Sequence, residues 1–219
     1  MNKPTMLRML ELSSLAYHDD QPMCGSIPRL IFDKKTDTEV YMRVHGREVV
    51  IIFRGTDSPV NWMHNLMFCK RVIPYGAPDG RIRVHGGFLE TYRSVRDAIL
   101  AHLPEEQCRV TVTGHSLGAA LAVLCAADIR NVYPHKDIEV YLFGCPRVGN
   151  KAFADAYNKN VFKTLRVTNG NDIVAKLPPA LFGFRHVGID IQVGFLRLPF
   201  FISANDHRQR MYYSSLWNG

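Results

Sequence analysis

The stretch from Arg109 to Ala127, RVTVTGHSLGAALAVLCAA, changes character within five residues. Arg109 to Thr113 alternate β-branched and polar side chains, the period of a half-buried strand. Ala119 to Ala127 are small and apolar, the composition of a buried helix. Only Gly114, His115, Ser116, Leu117 and Gly118 separate them, so a strand turns straight into a helix with a serine at the corner. In a corner that tight, a side chain at either glycine collides with the neighbouring strand or helix. A Gly-x-Ser-x-Gly corner between strand and helix is a nucleophile elbow, with the serine Oγ raised above the sheet.

The flanking segments extend the pattern. Met6, Leu7, Leu10, Leu12 and Leu15 recur near helical spacing and predict an amphipathic helix over residues 5–17. RLIFDKKTDTEVYMRVHGREVVIIFRG reads as strand, turn, strand, a His45-Gly46-Arg47 turn and a strand from Glu48 to Phe53, whose unbroken apolar run suits a sheet interior. GFLETYRSVRDAILAHL predicts a helix with Phe88, Tyr92, Val95, Ile99 and Leu103 on one side. After the elbow helix, which runs to about Val132, come a strand in DIEVYLFGCP, a helix over 152–158 and a strand in FKTLRVTN. Strands alternate with helices from Glu48 onward, the order of an α/β fold with a mainly parallel sheet and right-handed crossovers. No repeat, low-complexity tract or linker interrupts it, so the 219 residues are expected to form a single domain.

Composition narrows the function. The formal charge of +7 permits an anionic partner, yet the basic residues are not in blocks and no nucleic-acid-binding motif accompanies them, so nucleic acid is not expected. Beyond Asp172 the chain carries Lys176, Arg185, Arg197, Arg208 and Arg210 against Asp190 and Asp206, a net basic segment. Arg8 and Glu11 interrupt the N-terminal apolar residues, leaving no signal-peptide core, and no run reaches the roughly 18 apolar residues of a membrane span. Five cysteines, an odd number without paired spacing, predict reduced and mostly buried thiols. The expectation is an intracellular or leaderless protein, unless the chain is already a mature secreted form. Neither Cys-x-x-Cys nor His-Glu-x-x-His occurs, and no metal or cofactor is expected.

A serine hydroxyl is a weak nucleophile and needs a base and an orienting acid, in the chain order Ser, Asp, His at an elbow. Asp172 is best placed for the acid, because KTLRVTNGNDIV runs off a strand end into a Gly-Asn loop, where catalytic groups of open α/β sheets gather. Asp190 and Asp206 are alternatives, although Asp206, next to His207, reads as a local turn residue. Of nine histidines only His186 and His207 follow Asp172. His207 lies in the polar loop SANDHRQR and is preferred by chain order; His186 lies in an apolar-flanked stretch and reads as structural.

Taken together, VVIIFRGT, NWMHNL, VHGGFLETY, VTGHSLGAALA, FGCPRVGN, TNGNDIVAKLPP, FGFRHVG and His207, after an opening helix ending in Ala16-Tyr17, resemble the class 3 lipases. This is the α/β-hydrolase family of fungal triacylglycerol lipases and feruloyl esterases. The resemblance implies Ser116 as nucleophile, Asp172 as acid, His207 as base, and Thr56 with Leu117 as oxyanion-hole donors. It also implies a lid in DSPVNWMHNLMF, where Pro59, Val60, Trp62, Met63, Leu66 and Met67 would form an apolar face over the site. The chain departs from the family in carrying Asn65 where an acid often stands, and in the spacing of its ending, RQRMYYSSLWNG. VGFLRLPFFI, before His207, either lines the acyl channel, touches lipid or forms a strand with one buried face. The expected function is hydrolysis of lipid carboxylic esters through an acyl-enzyme, with contact at a lipid surface. Phospholipase or feruloyl-type esterase activity is an alternative, and so is an inactive lipid-binding or scaffold role. Nothing in the sequence fixes the oligomeric state.

Overall fold

A computed structural model describes residues 2–18, 28–56, 69–73, 80–195 and 202–218. The chain opens with α1 (Lys3–Leu15), followed by β1 (Arg29–Asp33), β2 (Thr38–His45) and β3 (Glu48–Phe53). Two short strands, β4 (Lys70–Val72) and β5 (Arg83–His85), lead into α2 (Gly86–Ala101). Then come β6 (Arg109–His115), α3 (Leu117–Val132), β7 (Asp137–Phe143), β8 (Gly149–Asn150), α4 (Lys151–Asn160) and β9 (Thr164–Asn169). The last elements are β10 (Phe184–Arg185), β11 (Ile189–Val193) and α5 (Gln209–Asn218).

The main sheet has seven strands in the order β1-β2-β3-β6-β7-β9-β11. β1, β2 and β3 pair antiparallel, whereas β3, β6, β7, β9 and β11 run parallel. This is the mainly parallel, helix-flanked sheet of an α/β-hydrolase fold, with β3 inside it as its apolar run predicts. The period of two is visible in what each strand buries. Val40, Met42, Ile51 and Phe53 join the larger apolar cluster with α2, α3 and α4, while Tyr41 and Ile52 join a second cluster with α1 and α5 on the opposite face. Phe88, Tyr92, Val95, Ile99 and Leu103 are all buried, as the single-sided pattern of α2 requires.

Helix boundaries follow from caps that hydrophobic spacing does not reveal. α1 starts at Lys3 rather than residue 5 because the Asn2 side chain accepts from Thr5 N at 3.4 Å and Pro4 suits the first turn. α4 starts at Lys151 because Asn150 Oδ1 accepts from Phe153 N at 3.0 Å. A second, four-stranded sheet, β10-β8-β5-β4, was not foreseen, since strands of two or three residues are too short to carry a period. Of the four cysteines among the described residues, Cys108, Cys125 and Cys145 are buried thiols and Cys69 is an exposed one. Among the described residues no helix is long and apolar enough to cross a membrane.

Candidate active site

β6 ends and α3 begins around Ser116, whose backbone has φ +61° and ψ −124°, a conformation L-residues rarely adopt. The flanking glycines explain how the turn closes. A Cβ on Gly114 would lie 2.4 Å from the Gly118 carbonyl carbon, and one on Gly118 would lie 2.3 Å from the Phe53 carbonyl oxygen. The second contact also sets the first turn of α3 against the end of β3, the segment that leads to Thr56. Leu117 is the first helical residue, so its N–H belongs to the group without an intrahelical acceptor, at the positive end of the helix dipole. Thr56 is half-buried.

His207 and Asp172 meet next to His115, the residue before Ser116. His207 Nδ1 donates to Asp172 Oδ2 at 2.8 Å, which leaves Nε2 of the neutral ring as a lone-pair acceptor. Both groups are buried, and neither Ser116 Oγ nor His207 Nε2 has a hydrogen-bond partner among the described residues. Two further donors hold the carboxylate: Tyr212 Oη at 2.5 Å on Oδ2 and Val174 N at 2.8 Å on Oδ1. Burial alone would raise the Asp172 pKa, but the His207 hydrogen bond and charge, then Tyr212, outweigh it, and the net shift is downward. The Tyr212 phenol is pushed well above its usual 10 by burial and by the Asp172 charge, so it remains a donor.

His115, which precedes Asp172 in the chain and so falls outside the expected order, is part of the same cluster. Its Nε2–H donates to the His207 carbonyl at 2.8 Å, and its ring stacks on that of His207 with centroids 4.5 Å apart. Nδ1 is therefore an acceptor, facing Tyr17 Oη at 3.1 Å. Burial foremost, then the neighbouring His207, lowers the His115 pKa to about 3, which keeps the ring neutral. Gly144, at the end of β7, has φ +58°, and a Cβ there would lie 2.9 Å from His207 Cε1 and Nδ1. Tyr212, His115 and Gly144 were missed. Their only signals were an aromatic on a short terminal helix, the variable residue of the elbow and the glycine of FGCP.

The alternatives separate cleanly. His186 is largely buried away from this cluster, with Nε2 on the Ala175 carbonyl at 2.9 Å, and Asp190 lies on β11, paired with Arg166 at 3.1 Å. Asp206 lies in a turn, as its position suggests, but its bonds reach the segment that precedes Asp172. Its Oδ2 accepts from Asn171 N at 2.9 Å and its carbonyl accepts from Asn169 Nδ2 at 2.8 Å. Pro59, Val60, Trp62, Met63 and Leu66, with Asn65 and Met67, lie outside the described residues, as do residues 196–201 of VGFLRLPFFI.

The buried histidines make stability sensitive to acid. Burial lowers His85 to about 4 and His186 to about 3, alongside His115. The unfolded chain takes up these protons near pH 6.5 and the folded chain does so only near 3 to 4, so the unfolded state binds more protons between those limits. Unfolding free energy is therefore expected to fall by at least about 2 kcal/mol as pH drops from 6.5 to 4.5. Urea titrations across that range should show the loss, and His186→Gln should flatten it; an unchanged slope in the variant would rule out His186 as a contributor.

A profile of the family described as lipase (class 3) matches residues 50–182, more than half the chain. The chain belongs to the class 3 lipase family. Among curated relatives of this class 3 chain, a lipase from Rhizomucor miehei is 36% identical over 167 residues, covering 73% of this chain and 45% of that protein. The chloroplastic phospholipase A(1) DAD1 from Arabidopsis thaliana is 36% identical over 161 residues, covering 65% and 36%. The chain thus spans about half the length of these relatives or less. A solved triacylglycerol lipase, described as having a catalytic centre formed by a serine protease triad, superposes with a TM-score of 0.79 at 28% identity, covering 93% of this chain and 92% of that one.

Proposed function

We propose that this class 3 lipase-family chain is a serine hydrolase that cleaves carboxylic esters of lipids, acylglycerols foremost, through an acyl-enzyme. One observation carries the reading: the buried His207–Asp172 pair ends in a ring nitrogen with no hydrogen-bond partner among the described residues, and its ring stacks on His115, next in sequence to an elbow serine whose hydroxyl also has none. The solved triacylglycerol lipase with a serine protease triad supports it. In this reading Ser116 Oγ attacks the ester carbonyl carbon while its proton passes to His207 Nε2. Asp172 holds the tautomer and stabilises the imidazolium. The N–H groups of Leu117 and Thr56 receive the oxyanion, each worth about 3 kcal/mol of transition-state stabilisation. The tetrahedral intermediate then expels the alcohol, which takes the proton from His207, and water repeats the sequence to release the acid. Pro59, Val60, Trp62, Met63 and Leu66 are proposed as the apolar face of a lid. Cores packed on both faces of one sheet support reading the 219 residues as one domain.

The phospholipase A(1) relative favours a second reading in which the ester belongs to a phospholipid. Hydrolysis of p-nitrophenyl esters of increasing acyl length, with and without dispersed lipid, tests the first reading. Long-chain turnover that rises when lipid is dispersed is expected. Turnover confined to short soluble esters and indifferent to lipid would replace it with an esterase, and failure of a serine-reactive phosphonate to label Ser116 would leave a binding module.

A further inference from the structure

The small second sheet and the segments that join it have a charge pattern that the proposed chemistry does not use. Residues 69–73, 80–86, 144–150 and 173–189 contain seven Lys or Arg and no Asp or Glu, and the β4–β5 connection between the first two contains one acid, Asp79. They include β4, β5, β8 and β10, which pair in one antiparallel sheet. Arg71 and Arg185 are exposed and lie in one cross-strand row, with Val84 and Gly149 between them, on one face of this sheet. Burial foremost, then the positive charges of Arg166 and Arg185, lowers the Arg147 pKa, as expected where cations crowd.

At one edge of this field stands an apolar tip. Leu181, in the 3-10 turn Ala180–Phe182, is 92% exposed, and Phe182 beside it is 51% exposed. Cations hold the backbone on both sides of the tip. Arg185 Nη1 donates to the Ala180 carbonyl at 3.0 Å, and Lys70 Nζ donates to the Phe182 carbonyl while lying 4.5 Å from the centre of the Phe184 ring. The tip also continues the loop that carries Asp172, with Arg147 Nη1 bound to the Lys176 carbonyl and, at 2.9 Å, to the Pro178 carbonyl between them.

Large apolar side chains exposed at a protruding turn and ringed by Lys and Arg match a bilayer interface: the apolar groups enter the acyl boundary while cations stay among the headgroups. We propose that β4, β10 and the Ala180–Phe182 turn form a docking surface for an anionic lipid bilayer, which presents the membrane to the loop that bears Asp172. The choice of lipid over another polyanion rests on the lipid-hydrolase reading; the charge and the exposed tip do not. Each cation close to an anionic leaflet strengthens binding about fivefold.

The test uses full-length Ser116→Ala protein, so that no lipid is consumed, in sedimentation with vesicles of phosphatidylcholine alone or of equal parts phosphatidylcholine and phosphatidylglycerol at low salt. Binding is expected to favour the anionic vesicles and to weaken with added salt. Arg71→Gln/Arg185→Gln should lower that affinity on the order of 25-fold. Leu181→Ser should lower affinity for both vesicle types, with thermal unfolding unchanged. Equal binding to both vesicle types, wild-type affinity in both variants, or retention on heparin without vesicle binding would overturn the proposal. A serine-intact protein that hydrolyses no ester yet shows these vesicle results would remove the hydrolase reading and leave the docking surface standing. Conversely, soluble-ester turnover in a protein indifferent to anionic vesicles would remove the docking surface alone.

Discussion

Ser116→Ala is expected to retain the fold and to lose about six orders of magnitude in kcat for ester hydrolysis. The fold should survive because Ser116 Oγ has no hydrogen-bond partner among the described residues, so alanine leaves no donor or acceptor stranded. Its backbone torsions impose nearly the same strain on alanine as on serine. Turnover collapses because the attacking atom is gone, while the Leu117 and Thr56 N–H groups keep a residual acceleration over water. His207→Ala should cost a similar factor, and the double variant little more, since the groups act as one unit. Steady-state kinetics of the three proteins on one p-nitrophenyl ester decide the matter. A Ser116→Ala enzyme within about tenfold of the wild type would sink the assignment, and activity surviving only in His207→Ala would move the base elsewhere.

The largest expected effect on stability comes from Gly114→Ala. A methyl group there would lie 2.4 Å from the Gly118 carbonyl carbon and 2.5 Å from its oxygen, contacts between backbone atoms that no rotamer change relieves. Strand and helix would have to separate, which should cost at least about 3 kcal/mol of unfolding free energy. Gly46→Ala is the matched control. Gly46 has φ +57° with nothing within 4 Å of its added Cβ, so only the left-handed conformation is penalised, by about 1 kcal/mol. Urea unfolding of both variants separates crowding from torsional strain; equal losses would mean that the elbow is looser than its geometry implies.

These two sites show what was legible before any coordinates. The elbow could be read because its steric demand falls on two glycines, each two residues from the serine, and β3, β6, β7 and β9 because each carries an apolar run or alternation of its own, whereas β11 was not expected. Asp172 and His207 were legible through chain order and loop composition. Tyr212 was not, since a tyrosine on an amphipathic helix looks like any core aromatic until a carboxylate is found 2.5 Å from its hydroxyl. His115 was hidden because its link to His207 runs through a backbone carbonyl. The four-stranded sheet escaped notice because pairings as short as Phe184–Asn150 and Arg185–Gly149 leave no local pattern.

The lattice of bonds around Asp206 has an evolutionary corollary. Asp206 accepts from Asn171 N and, through its carbonyl, from Asn169 Nδ2, while Ser203 N donates to the Asn171 carbonyl at 2.9 Å. The segments bearing Asp172 and His207 are thereby clamped together immediately beside the two side chains, although 35 positions separate them in sequence. Their alignment is set by the clamp and not by the length of what joins them. The connection between Val193 and Ser203 can accordingly change in length or composition among descendants of this fold while the His207–Asp172 geometry is inherited unchanged.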